Sequence, residues 1–153
     1  MQNQSYRHGN DRNQHGRGHR NEAHQQENAV NARAFLENNV REILRMSKSK
    51  HAGEIISNLS DFVKFGCVQL TTHQIRNIYG VVKRHSEVSS IHAIARPHMV
   101  NIAKKQDQDG RLAVELFEKV LESVKEKEEV NDCHLFFEAI VCYHKYHHGD
   151  KNK

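Results

Sequence analysis

The sequence has no tryptophan, no apolar run near the ~18 to 20 residues needed to cross a bilayer, and almost nothing in its first 28 residues that could enter a hydrophobic core. The missing apolar run excludes a membrane-spanning helix, and the N-terminus lacks the apolar segment of a secretory signal. Cys67, Cys133 and Cys142 are odd in number and irregularly spaced. They favour reduced thiols in a cytoplasmic protein over a disulfide framework. Charge of one sign is not in large excess, since 23 Lys and Arg face 19 Asp and Glu for a net +4. A polyanionic partner is permitted by that balance without being required. A glycine-rich nucleotide loop, a zinc-finger spacing and a nucleophile elbow are also missing, so no catalytic residue and no cofactor is assigned.

What is present is helical periodicity. The stretch "MQNQSYRHGNDRNQHGRGHRNEAHQQEN" cannot offset its ordering entropy by burial, and residues 1–28 are expected to be a disordered polar and basic tail. From Ala29 the pattern changes, and Phe35, Leu36, Val40, Ile43 and Leu44 form the stripe of a first amphipathic helix. "SKSKHAG" interrupts it, and Ile55, Ile56, Leu59, Phe62 and Val63 repeat the spacing as far as Gly66. "FGCVQL" has no alternating partner to pair with and reads as a buried connector. Pro97 suits the first turn of a helix whose inner face is Met99, Ile102 and Ala103. "DQDG" is a turn, after which Leu112, Leu116, Phe117, Val120, Leu121 and Val124 define a further helix with "KEKEE" at its exposed end. Asn131 or Asp132 can cap a last helix with Leu135, Phe136, Ala139, Ile140 and Tyr143 inward, ended by Gly149. The expected fold is all-α, a compact bundle of five or six helices over residues 29–149, with 150–153 as a flexible end.

One segment raises a functional question. In "TTHQIRNIYGVVKRH", Thr71 and Gln74 have the spacing of a capping box, so a helix starts at Thr72. Ile75, Ile78, Tyr79 and Val82 share one face, while Arg76 and Lys83 fall about 20° apart on its flank. On spacing alone that edge is an ordinary solvated flank. Near the end, "CYHKYHHGD" sets His144 and His148 four apart, with Cys142 and Asp150 nearby, which is conceivable for a metal. No paired-Cys or His-Glu-x-x-His pattern accompanies it, and no metal ligand is assigned.

Two stretches together resemble a known family. "LTTHQIRNIYGVV" is similar to the Leu-Thr-Thr-x-Gln-Ile-Arg segment, and "FFEAIVCYHKYHHGDK" to the closing segment, of the small subunit of type III-A CRISPR effector (Csm) complexes. "ARPHMVNIAKKQDQDGRLAVELFEKVL" resembles the part between them, so the similarity runs from about Ala29 to Lys151. Two departures stand out. Asn101 with Lys104 and Lys105 replaces a tyrosine and a Gly-Arg pair, and His148-Gly149 replaces a Gly-Gly.

The resemblance implies an all-helical, noncatalytic subunit of an antiviral ribonucleoprotein. Several copies would stack beside the backbone subunits and the large polymerase-like subunit and help hold guide RNA and target RNA. Arg76 and Lys145 fall inside the two motifs, and Lys83, Arg84, Arg96, Lys104 and Lys105 are the neighbouring cations expected to meet phosphates. A protein can grip such a duplex by its backbone without reading bases. The competing expectation is an independent DNA-binding regulator whose Thr72–Arg84 helix enters a major groove.

Overall fold

The computed structural model describes residues 15–149, with side chains from Arg20 onward. Among these residues there are six helices of nine or more residues and no strand, as the periodicity predicts. The long helices are α1 (His15–Asn38), α3 (Ala52–Gly66), α4 (Thr72–Lys83), α6 (Arg96–Lys104), α7 (Gln108–Glu122) and α8 (Lys127–His148). Single turns, α2 (Val40–Ile43) and α5 (Val88–Ser90), lie between them, with a 3₁₀ turn at Met46–Lys48 and a π-helical turn at Ile91–Ala95.

Helix α1 packs along α3, α3 on α8, α8 on α4, and α6 on α7. The centre is aromatic. Phe117 of α7 meets Phe62 of α3 edge-on with centroids 6.3 Å apart, and Phe137 of α8 at 5.6 Å, and all three are buried. Cys67 and Leu70, in the connector after α3, are fully buried as expected.

Four expectations are corrected. The segment expected to be structureless through Asn28 is helical from His15, while residues 1–14 lie outside the described residues. Ala32 and Leu36 anchor α1 in the core, and helix propagates backward from them through Glu22, Ala23, Gln25 and Gln26, all good helix formers. Every residue from Arg20 to Asn28 is exposed, so that part of the helix adds nothing to the core. The first helix also stops earlier than Leu44, breaking at Asn39, whose side-chain amide donates to the Phe35 carbonyl at 2.8 Å. The last helix starts at Lys127 rather than after Asn131 or Asp132, because Glu126 and Glu129 form a reciprocal capping box. Most of "KEKEE" therefore begins α8 instead of ending α7. Finally, Leu135 is 43% exposed, and the inward stripe of α8 runs through Cys133, Phe136, Phe137, Ile140 and His144.

Glu129 is buried, and its Oε1 accepts from the backbone N–H of Glu126 at 3.1 Å and Lys125 at 3.2 Å. Its second oxygen pairs with Arg41, which also donates to the Ser123 carbonyl at 2.6 Å. One arginine thus ties α2 to the α7–α8 corner.

The end of α8 is held by histidines. His144 Nε2 donates to the Leu70 carbonyl at 2.8 Å, His148 Nε2 to the Val63 carbonyl at 3.0 Å, and His147 hydrogen-bonds Ser60 Oγ at 2.9 Å. His144 is buried with Nδ1 unpartnered among the described residues. Burial, and then the nearby His148, hold its pKa below the usual histidine range, against the hydrogen bond to the Leu70 carbonyl. His147 is lowered too, by burial and then by Lys64 and His148, with Asp61 opposing.

For a base whose pKa is depressed by folding, the unfolded chain takes up the proton first, so stability is intact above about pH 6.5 and falls below it. The melting temperature should drop between pH 7 and pH 5. His144→Gln keeps a donor for Leu70 and cannot titrate, so it should flatten that profile. A parallel profile for the variant would remove His144 as a contributor.

Candidate nucleic-acid interface

Helix α4 is built as the sequence indicates. Thr71 Oγ1 accepts from the Gln74 N–H at 3.1 Å, and Gln74 Oε1 accepts from the Thr71 N–H at 2.9 Å, which completes the capping box. Thr72, Ile75, Ile78, Val81 and Val82 are buried. The outward face consists of His73, Arg76, Asn77, Gly80 and Lys83, followed by the capping residue Arg84, and the helix contains no acidic residue.

Two hydrogen bonds fix how α4 lies on α8. At one end Thr72 Oγ1 donates to the Gly149 carbonyl at 3.2 Å, and at the other His134 Nε2 donates to the His85 carbonyl at 2.8 Å. The helices are antiparallel. Arg76, one turn beyond Thr72, therefore stands level with Lys145, one turn before Gly149.

Arg76, Lys83, Arg84 and Lys145 are exposed, and none is in an ion pair among the described residues. Lys83 Nζ lies over the Tyr79 ring, 5.5 Å from its centroid, and Arg84 Nε donates to the Gly80 carbonyl at 3.1 Å. Both cations are thus oriented by neighbours that leave their charge uncompensated.

The structure separates the remaining cations from this ridge. Arg96 Nε pairs with Glu118 at 3.0 Å, and its Nη2 lies 3.9 Å from Glu122, so its charge is spent joining α6 to α7. Lys104 and Lys105 are exposed at the far end of α6, a helix that packs chiefly on α7. A 720 Å³ groove elsewhere mixes Arg45, Lys48 and His51 with Glu126, Glu128 and Asp132, an alternation of charge that does not suit a polyanion.

Sequence reasoning missed Tyr146, which directly follows Lys145 and is 80% exposed. Periodicity gave no sign of it, because Tyr146 lies three residues from Tyr143, which the pattern sets inward. The buried thiols and the histidines at the end of α8 serve the fold. Burial pushes the Cys133 thiol up to about 12 and Cys67 higher still, so both stay protonated. His144 and His148, with rings 4.8 Å apart, spend their Nε2 atoms on backbone carbonyls. No group of three or more candidate ligands for a metal occurs among the described residues.

The model of one protein family, Csm2 Type III-A, matches residues 53–150. The chain belongs to the Csm2 type III-A family. It is therefore the small subunit of a type III-A Csm complex, from a family of structural subunits, and membership implies association with the other Csm subunits and with CRISPR RNA. The matched region runs from α3 to the end of α8 and contains the whole α4–α8 pair. Helices α1 and α2 precede it, although the motif resemblance reaches back to Ala29. No curated protein and no solved structure matches the chain significantly. No helix among the described residues is long and apolar enough to cross a membrane.

Proposed function

We propose that this Csm2 subunit acts without catalysis, stacking in several copies beside the backbone subunits and holding guide and target RNA by their phosphates. The α4–α8 ridge is the gripping surface. The observation that carries this reading is the acid-free outer face of α4, whose Arg76, Lys83 and Arg84 have no carboxylate partner among the described residues, while Lys145 stands level with Arg76. Cations spent on the fold, as Arg96 is, cannot release counterions from RNA, whereas uncompensated ones can. Tyr146 offers a ring beside the ridge on which an exposed base can stack. Lys104 and Lys105 would form a second, separate contact.

The double substitution Arg76→Gln, Lys83→Gln tests the ridge. Both side chains are exposed and Gln is a comparable helix former, so the melting temperature should hold. Binding of target RNA by the assembled complex should weaken roughly tenfold at low salt, a loss of ~1.4 kcal/mol. Two fewer phosphate contacts lower the salt slope by about 1.4 log units on a single strand, so the deficit shrinks as salt rises. Parental affinity at low salt would place the RNA surface elsewhere.

A further inference from the structure

Gly80 sits in the middle of the outward face of α4, with ordinary helical backbone, where glycine is a poorer helix former than alanine. The fold does not ask for it. Apart from its two chain neighbours and the backbone of its own helix, a Cβ built at Gly80 would meet nothing closer than Arg84 Nη2 at 4.0 Å. Its neighbours across the helix surface, three and four residues away on each side, are Arg76, Asn77, Lys83 and Arg84. All four carry hydrogen-bond donors, and three carry positive charge. Arg84 is folded back by its 3.1 Å hydrogen bond to the Gly80 carbonyl, which holds the guanidinium beside the bare backbone.

We infer that Gly80 is the floor of a seat for a single RNA phosphodiester, with Arg76, Lys83 and Arg84 as its rim. The inference rests on the RNA-gripping reading above and adds a positioning residue to it. Without a side chain at this point, a phosphate can approach the helix axis closely enough for cations one turn above and one turn below to reach it together. A methyl group would stand in front of the Arg84 guanidinium and lift the phosphate away. The ring of donors selects the phosphodiester over a neutral protein surface, and nothing in it reads a base.

Gly80→Ala separates this role from a structural one, because the two move in opposite directions. The full-length variant should melt about 2–4 °C higher, as alanine favours helix. It should nevertheless bind an oligouridylate about fivefold more weakly at low salt. With a methylphosphonate oligomer, whose backbone is uncharged, parent and variant should bind alike. Parental affinity for the oligouridylate in the Gly80→Ala protein overturns the seat, and so does a lowered melting temperature, since the fold would then need the glycine. The Arg76→Gln, Lys83→Gln protein run alongside tells the two failures apart. If it binds weakly while Gly80→Ala binds normally, only the seat is lost. If both bind normally, the RNA reading of α4 falls with it.

Discussion

Phe117→Ala should lower the melting temperature by on the order of 10 °C without altering the RNA-binding ridge. Phe117 is wholly buried in α7 and makes edge-on contacts with Phe62 from α3 and Phe137 from α8, so one side chain joins three helices. Truncating a core phenylalanine costs about 3–5 kcal/mol, from lost transfer energy and from the cavity left behind. For a chain of this size each kcal/mol shifts the transition by about 2–4 °C. Collapse into the cavity is resisted because Phe136 also packs edge-on against Phe137, at 5.3 Å, and cannot move without breaking that contact. Thermal unfolding followed by helical circular dichroism is the measurement, with Phe117→Leu as the milder comparison. A shift under about 3 °C for the alanine variant would show that α7 is not seated on α3 and α8 as described. Below the transition, RNA affinity should match the parent, since Phe117 is remote in sequence and in packing from the outer face of α4.

How much could be read from the sequence depends on whether the deciding interaction is local. The start of α4 was legible because Thr71 and Gln74 satisfy one another three residues apart, and the placement of Pro97 in the first turn of α6 was legible for the same reason. The start of α8 was not. Glutamate is no favoured capping residue, and the Glu126–Glu129 box is buttressed by Arg41, 88 residues from Glu129 in the chain. The face of α8 was misjudged because apolar residues line more than one side of it. Packing on α3 and α4, not periodicity, brings Phe137 and His144 inward and leaves Leu135 half out.

The same distinction governs the candidate site. That Arg76 and Lys83 share an outward edge follows from the amphipathic pattern of α4, while their RNA role came from the family resemblance, and the level placement of Arg76 and Lys145 required the antiparallel pairing with α8. Arg96 looked like its neighbours because a sequence shows a cation but not the Glu118 carboxylate 22 residues away that neutralises it. Gly80 drew no notice because a glycine inside a helix becomes informative only when the space around it is known to be open.

Ile78→Asp should abolish both the seating of α4 and RNA binding, in contrast to the Arg76→Gln, Lys83→Gln protein, which keeps its fold. Ile78 is 2% exposed and lies between Ile75 and Val82 on the face that α4 turns toward α8. Aspartate there removes the apolar contact and buries a carboxylate on the face opposite the exposed Arg76, Lys83 and Arg84 of its own helix. Changes of this kind cost upwards of ~4 kcal/mol, so the melting temperature should fall by about 10 °C or more. Since α8 and the π-helical turn are the chief supports of α4, the loss should begin there, with early amide exchange over residues 72–83 while α7 stays protected. Ile78→Val, which deletes one methylene and introduces no charge, should cost only about 1 kcal/mol. An Ile78→Asp protein that melts like the parent would show that α4 does not bury this face. If it melts early yet binds RNA normally, the grip lies outside α4. The two substitution sets thus test separately whether the helix is held in place and whether its outer charges are what the RNA meets.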